Sequence, residues 1–306
     1  CEYFYGAMLP STGFIRAFRV KPHFPGVVLL APSAEVPDVP APYQPRTKFL
    51  REFSRSQEWC GILGARNAVD VNRMIREGRM REFIRVNEAL HDRSIAAIAD
   101  EITRRGARVV MIFGPSSSGK TTTAKKIEAK LEEMGIHSHA IAMDNYFQTV
   151  DPETSPRNRE GQIDYESPFC LDMDLLNRHF AMLDRGETIH IPKYEFARQM
   201  RSAIKSHPLQ LHSDEIAIFE GIHALNPAMI PGVDSTKGFR VYASALTSLS
   251  IDENNNISTS DNRMLRRMIR DNRVRGVIPE DTIMRWQSVR RGENRNIFPF
   301  QEYADA

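Results

Sequence analysis

The sequence predicts an α/β fold: a doubly wound parallel sheet with helices on both faces, preceded by a small N-terminal region that is β-rich and then helical. Three observations carry that expectation. The apolar run at 108–113 reads as a strand buried on both faces, as parallel strands are. Directly after it, Gly114-Pro115-Ser116-Ser117-Ser118-Gly119-Lys120-Thr121 matches GxxxxGK[ST] and opens a helical pattern. Strand-like and helix-like segments then alternate toward the C-terminus, the signature of βαβ units.

Taken in order, residues 1–65 read as β-rich and irregular. Weak alternation at 14–20 and a short apolar run at 27–30 suggest strands, and the proline-rich stretch 31–45 reads as an extended loop. Residues 66–105 read as a helical connector. Ile95, Ile98, Ala99 and Ile102 share one helical face, and Arg104 and Arg105 load the last turn before Gly106. The domain that carries the glycine-rich motif spans 106–306. Its expected elements are a strand at 108–113, a helix at 120–134, a strand at 139–143, a polar loop at 151–168 and a helix at 171–184. Strands at 188–196, 216–219 and 240–245 follow.

Composition narrows the class. At 306 residues, 41% hydrophobic and 26% charged, the chain is an ordinary globular protein. Its 41 basic and 39 acidic residues leave a net charge of +2, so no chain-wide basic footprint for nucleic acid exists. The three cysteines, Cys1, Cys60 and Cys170, are widely spaced and form no CxxC, which argues against a disulfide framework or zinc site and fits a cytoplasmic protein. The apolar runs are too short to cross a membrane as a helix. A chain that opens at Cys1 and closes at Tyr303-Ala304-Asp305-Ala306 reads as a piece of a longer protein whose last core strand is missing.

The motif at 114–121 is a phosphate cradle of the P-loop NTPase kind. Gly114 and Gly119 let the backbone curl so that amides of Ser116, Ser117, Ser118, Gly119, Thr121 and Thr122 surround phosphate oxygens, and the helix N-terminus adds its dipole. Lys120 is expected to reach the β and γ phosphates of ATP, and the Thr121 hydroxyl to bind Mg²⁺. Glu220 ends the apolar run 216–219, where a carboxylate at the carboxyl edge of a parallel strand reaches the ligand crevice and can hold the same cation.

Asp144 closes the strand after the cradle helix. It either accepts the proton of an attacking hydroxyl or opens a turn with Asn145, as Asp often does. Farther on, Arg263, Arg266, Arg267, Arg270 and Arg273 recur at spacings of three or four, with Met264, Leu265, Met268 and Ile269 on the other helical face. Ten arginines and four acids lie between Arg263 and Arg295. A clamp on a transferring phosphoryl group is the favoured use; a solvated surface helix or RNA backbone binding are the alternatives.

With these pieces in place, the chain resembles the uridine–cytidine kinase family of P-loop kinases over residues 108–306. The ordered blocks are 114–122, Asp144-Asn145-Tyr146-Phe147, Ile163-Asp164-Tyr165-Glu166-Ser167-Pro168, 191–201, Phe219-Glu220-Gly221-Ile222 and 263–276. The resemblance implies Asp144 as the catalytic base, Asp164 and Arg267 on the ribose hydroxyls, and Tyr194 and Phe196 against the base with Arg201 nearby. It also implies Arg270 and Arg275 on the ATP phosphates. Three positions depart from the family pattern: Gln199 stands where a histidine reads the pyrimidine edge, Val277 replaces a lid arginine, and Arg285 replaces a lid glutamine. These changes spare phosphoryl transfer but put pyrimidine specificity in question.

The N-terminal segment 6–15 resembles part of the threonyl-tRNA synthetase editing domain. That domain's metal-type Cys and His would fall at Phe4 and Met8, which cannot ligate metal that way, so no editing chemistry is expected. The pairing resembles bacterial nucleoside kinase fusion proteins. Three readings follow: an ATP-dependent nucleoside 5′-kinase, uridine first; a kinase for another polyol or a sugar phosphate; and a nucleotide-gated RNA-binding module, disfavoured by the near-neutral charge. A homo-oligomer is compatible with any of them.

Overall fold

The computed structural model describes residues 9–24, 26–33, 36–158, 161–204, 208–226, 238–247, 249–253 and 255–306. Phe4 and Met8, which fall at the editing domain's metal positions, lie outside that set, as do residues 6–8 of the segment 6–15 that resembles it. The chain divides into two compact units, Cys1–Glu52 and Phe53–Ala306.

In the first unit, β1 (Arg19–His23) and β2 (Gly26–Leu30) form an antiparallel hairpin with Arg19 opposite Leu30 and His23 opposite Gly26. The described residues of the proline-rich stretch 31–45 are irregular, as expected. A helix, α1 (Thr47–Ile62), occupies much of the end of the region read as β-rich. It starts just beyond Pro45, and its spacing of Phe49, Leu50, Phe53 and Trp59 among charged residues is helical rather than alternating.

The second unit is built on four parallel strands in the order β10–β3–β9–β4. These are β3 (Val109–Phe113), β4 (Ser138–Ala142), β9 (Ile216–Glu220) and β10 (Gly238–Tyr242). The helices are α2 (Ala68–Arg76), α3 (Met80–Arg104), α4 (Lys120–Glu133), α5 (Met173–Asp184), α6 (Thr259–Arg275) and α7 (Pro279–Asn296). Alternate residues of each central strand enter opposite cores. Val110, Ile112, Ile216 and Ile218 pack with Ile95, Ala99 and Ile102 of α3 and Ala124, Ile127 and Leu131 of α4. Met111, Phe113, Ala217 and Phe219 pack with Leu176, Phe180 and Leu183 of α5. Helices therefore cover both faces, and the two-sided burial explains why these strands read as unbroken apolar runs. Met80–Arg104, read as part of a connector, sits with the sheet in one compact unit.

The expected strand at 188–196 is not continuous. Pro192 interrupts it, leaving β5 (Ile189–His190), paired with β8 (Pro208–Leu209), and β6 (Tyr194–Glu195), paired with β7 (Met200–Arg201). At the far edge, the amides of Asp305 and Ala306 donate to Arg240 O and the amide of Tyr242 donates to Ala306 O, extending the ladder beside β10.

The order of strands positions the site. β9 inserts between β3 and β4, with Ile112 opposite Glu220 and Glu220 opposite Ala142. The cradle after β3, Glu220 at the end of β9 and Asp144 just after β4 thus stand side by side along one carboxyl edge, where open α/β sheets bind ligands.

Candidate active site

The cradle has the backbone its glycines foreshadow. Gly114 has φ +150°, and a Cβ there would meet Ala243 O at 2.1 Å, so only glycine fits. Gly119 has φ +104° at the start of α4, and Ser117 between them has φ +59°. Strain in a non-glycine residue at a ligand loop is a mark of pre-organisation. The Oγ atoms of Ser117 and Ser118 are buried without a hydrogen-bond partner in the protein, and the Lys120 ammonium donates to Pro115 O at 3.1 Å. Inward-facing donors without protein acceptors suit an anion such as a phosphate chain.

A cleft of about 1130 Å³ opens over this loop. It is lined by Ser116, Ser117, Gly119, Lys120, Thr121, Thr122, Asp144, Tyr194, Phe196, Gln199, Glu220, Arg267, Arg270 and Arg275, each expected at the site from the sequence. Thr121 Oγ1 donates to Glu220 Oε1 at 2.8 Å. A hydroxyl and a carboxylate in contact beside a phosphate loop are an oxygen donor set suited to Mg²⁺, which takes few protein ligands and completes its shell with phosphate and water. Burial pushes the Glu220 carboxyl above its usual range, the negative charge of Asp144 adds to this, and Lys120 opposes it. Burial lowers the Lys120 ammonium, against the pull of Glu220 and Asp144.

Asp144 lies in a short 3-10 turn, Met143–Tyr146, and also lines the cleft. Its Oδ2 stands 3.7 Å from Arg275 Nη2. Arg275 in turn lies 4.0 Å over the ring of Phe196, which packs edge-on against Tyr194 with centroids 5.1 Å apart. Burial, then Arg270, lowers the Arg275 guanidinium.

The arginine helix behaves differently from a simple charged face. Leu265 and Ile269, the expected apolar side, are exposed, while Arg263 is buried against Glu293 of α7. Arg263 Nη1 also donates to Ser116 O at 3.1 Å, and Arg266 Nε donates to Ser117 O at 3.0 Å. The arginine side docks α6 onto the carbonyls of the cradle, which is why the amphipathic pattern is inverted. Arg267 and Arg270 face the cleft, as expected.

Two carried-over positions do not reach the cleft wall. Asp164 closes a local turn: its Oδ1 accepts from the Glu166 amide at 3.2 Å and its carbonyl from the Ser167 amide at 3.0 Å. Arg201 is spent on Asp172 at 2.9 Å and on the carbonyls of Phe147 and Tyr146, each at 3.0 Å, bracing the turn behind the aromatic pair. Glu166, two residues after Asp164, lines the cleft instead, with Oε1 accepting from Arg267 Nη1 at 3.2 Å and a buried Oε2 that has no hydrogen-bond partner. Burial raises its carboxyl, with Arg267 opposing. Sequence reasoning missed it because a non-helical segment with two acids carries no periodicity to say which one turns inward. Asp271 and Tyr165 were missed as well; Tyr165 Oη donates to Gln199 Oε1 at 3.0 Å. Gln199 has φ +54° and shares with Ser117 the left-handed backbone that no other non-glycine among the described residues adopts.

Residues 109–306 match the model of the phosphoribulokinase/uridine kinase family. The chain belongs to this family. As a member of the phosphoribulokinase/uridine kinase family it is a kinase, one that uses ATP on a small molecule. Uridine kinase of Staphylococcus aureus strain JH9 is 28% identical over 202 residues, covering 66% of this chain and 86% of that one. Among solved structures, the YGR205w protein aligns over 77% of this chain and 89% of its own, at 15% identity and a TM-score of 0.46. D-glycerate 3-kinase from Cryptococcus neoformans var. grubii aligns over 43% of this chain and 52% of its own, at 20% identity and a TM-score of 0.36. The family assignment rests on the sequence match. Among the described residues no helix is long and apolar enough to cross a membrane.

Proposed function

We propose that this family member is a nucleoside kinase that transfers the γ-phosphate of ATP to the 5′-hydroxyl of a nucleoside of the uridine or cytidine class. The observation that carries the reading is the convergence, in one cleft, of the cradle with Lys120, the Thr121–Glu220 pair, Asp144, and an acceptor wall of Tyr194, Phe196, Glu166 and Arg267.

The residues take the following roles. Amides of 114–122 and Lys120 grip the triphosphate. Thr121 and Glu220 would hold Mg²⁺, which would offset the negative charge of the phosphate chain and of the transferred group. Glu166 and Arg267 bind vicinal hydroxyls of the acceptor sugar, the carboxylate accepting and the guanidinium donating. Tyr194 and Phe196 pack on the base. The acceptor oxygen attacks the γ-phosphorus as its proton passes to the Asp144 carboxylate; the bond to the β-phosphate oxygen breaks and ADP leaves. Arg270 and Arg275 stabilise the charge that spreads over the moving phosphoryl group.

A second reading, transfer to another polyol or a sugar phosphate, is favoured by Arg285. This exposed arginine lines the cleft close enough for its charge to act on Tyr165, where an anionic acceptor would be welcome. For the N-terminal region we propose kinship with the synthetase editing domain without its chemistry, since Phe4 and Met8 supply no metal ligands.

A panel of nucleosides, sugar phosphates and cyclitols, scored by ADP release with Mg-ATP, tests the assignment. Uridine or cytidine is expected to give the highest kcat/KM. Lys120→Ala should abolish ATP use, and Asp144→Asn should keep ATP binding while lowering turnover about 10²–10⁴-fold. Full turnover in Asp144→Asn, or release of ADP driven only by a non-nucleoside acceptor, would reject it.

A further inference from the structure

Asp271 stands at the centre of the guanidinium cluster on α6, and nothing in the catalytic scheme above uses it. Its side chain is almost wholly buried. Three arginines that line the cleft meet it, each with its Nε toward the carboxylate, and Arg270 also with Nη2, 2.8 Å from Oδ1. Arg270 Nε donates to Oδ1 at 2.8 Å, Arg267 Nε donates to Oδ2 at 3.2 Å, and Arg275 Nε lies 3.6 Å from Oδ1. The spacing explains the geometry: on a helix, residues four before and four after share a face with residue 271, and Arg270 is its chain neighbour.

Outer nitrogens of two of these arginines do other work. Arg267 Nη1 holds Glu166 at 3.2 Å, and Arg275 Nη2 stands 3.7 Å from Asp144. The backbone of Asp271 is engaged too: its carbonyl accepts from the amides of Gly276 and Val277, closing α6 with Gly276 at φ +66°. One carboxylate therefore sits among three like charges that would otherwise repel one another, and holds each of them by its Nε side.

We infer that Asp271 is the positioning residue that sets the arginine array, holding Arg267, Arg270 and Arg275 so that their outer nitrogens serve acceptor, phosphate and base together. The inference rests on the phosphotransfer reading above. Without the charge on Asp271 the guanidiniums spread, and Arg275 is drawn onto Asp144, covering the atom that takes the acceptor's proton. Asp271 touches no substrate; it acts through its neighbours.

The test is a double-mutant cycle on the full chain: parent, Asp271→Asn, Arg275→Gln and the double variant. Steady-state kinetics, affinity for a non-hydrolysable ATP analogue and the thermal midpoint are read for each. Asp271→Asn is expected to lower kcat about 10²-fold, the size of effect that small misplacement of catalytic groups produces. Analogue affinity should change by less than about threefold, because the cradle amides and Lys120 dominate nucleotide binding. The double variant should lose far less than the product of the single losses, as groups acting in one unit do. Should Asp271→Asn not fold, Asp271→Ser takes its place in the cycle. An active parent whose kcat is unmoved by the folded Asp271 variant, or losses that multiply independently, would overturn the inference alone. A parent chain without activity on any acceptor would overturn the phosphotransfer reading and the inference with it.

Discussion

Gly292 on α7 lies directly against Glu166: a Cβ built at position 292 would sit 2.4 Å from the Glu166 Cβ and 3.1 Å from its Cγ. The glycine lets α7 lie close against this cleft-lining carboxylate, while Asn296 Nδ2 donates to Glu166 O at 3.1 Å from the next turn. Gly292→Ala must push Glu166 away or lift α7. The expected outcome is a kcat/KM for the acceptor lowered about 10²-fold, with affinity for an ATP analogue nearly unchanged and stability lower by about 1–3 kcal/mol. Acceptor kinetics equal to the parent would show that Glu166 does not contact the acceptor.

The pair Arg263–Glu293 is the most deeply buried charge pair among the described residues, and both carboxylate oxygens accept from the guanidinium, the second at 2.7 Å. Arg290 also donates to Glu293 at 3.0 Å, and the Arg263 guanidinium lies 5.5 Å from the Trp286 ring. Glu293→Gln leaves the Arg263 charge buried with a neutral partner and should cost about 3–5 kcal/mol in urea unfolding. Arg263→Met combined with Glu293→Leu should be less damaging than the two single losses added together, because burying neither charge removes the desolvation penalty.

His223 gives the fold a pH dependence with a defined sign. Burial pushes its ring down to about 4 from 6.5, and the Lys120 ammonium pushes the same way, while the nearby Glu166 backbone opposes. Above the unfolded value the ring is neutral in both states and its contribution to stability is complete. As pH falls below 6.5 the unfolded chain takes up the proton first, so stability declines until about 4, where the folded ring also charges. The total is on the order of 3 kcal/mol. Urea midpoints of the parent should fall over this window more steeply than those of His223→Gln; parallel curves would remove His223 from the account.

Thr121 and Glu220 predict a cation dependence. Thr121→Val keeps the shape of the residue and removes the hydroxyl that reaches Glu220. The Mg²⁺ concentration for half-maximal ADP release should rise at least about tenfold, since one oxygen donor of a hard cation is lost. Thr121→Ser should restore it. A Mg²⁺ titration of Thr121→Val superimposable on the parent's would dissociate this hydroxyl from the cation.

Where local patterns dictate structure, the sequence was sufficient. An apolar run with polar flanks specifies a strand buried on both faces, and glycines at 114 and 119 specify a curled loop at a helix start. From these, β3, the cradle, α4 and the carboxyl-edge positions of Asp144 and Glu220 were all legible, because each depends on residues close in the chain. The break of 188–196 into two short strands was carried by Pro192 and overlooked in favour of the flanking β-formers.

Chain-distant packing decided the rest. Nothing near Arg263 in the sequence says that Glu293 will bury beside it and turn the charged face of α6 inward. Nothing within 163–168 says that Glu166 rather than Asp164 meets Arg267, for that choice depends on α7 arriving with a glycine at 292. The sequence alone determined that this protein builds a phosphate-binding α/β sheet with carboxylates along its edge. Which arginines and which carboxylate face the cleft was settled only by tertiary contacts, since a side chain's direction in an irregular loop or on an ion-paired helix is set by partners distant in the chain, as Glu166 is by Arg267.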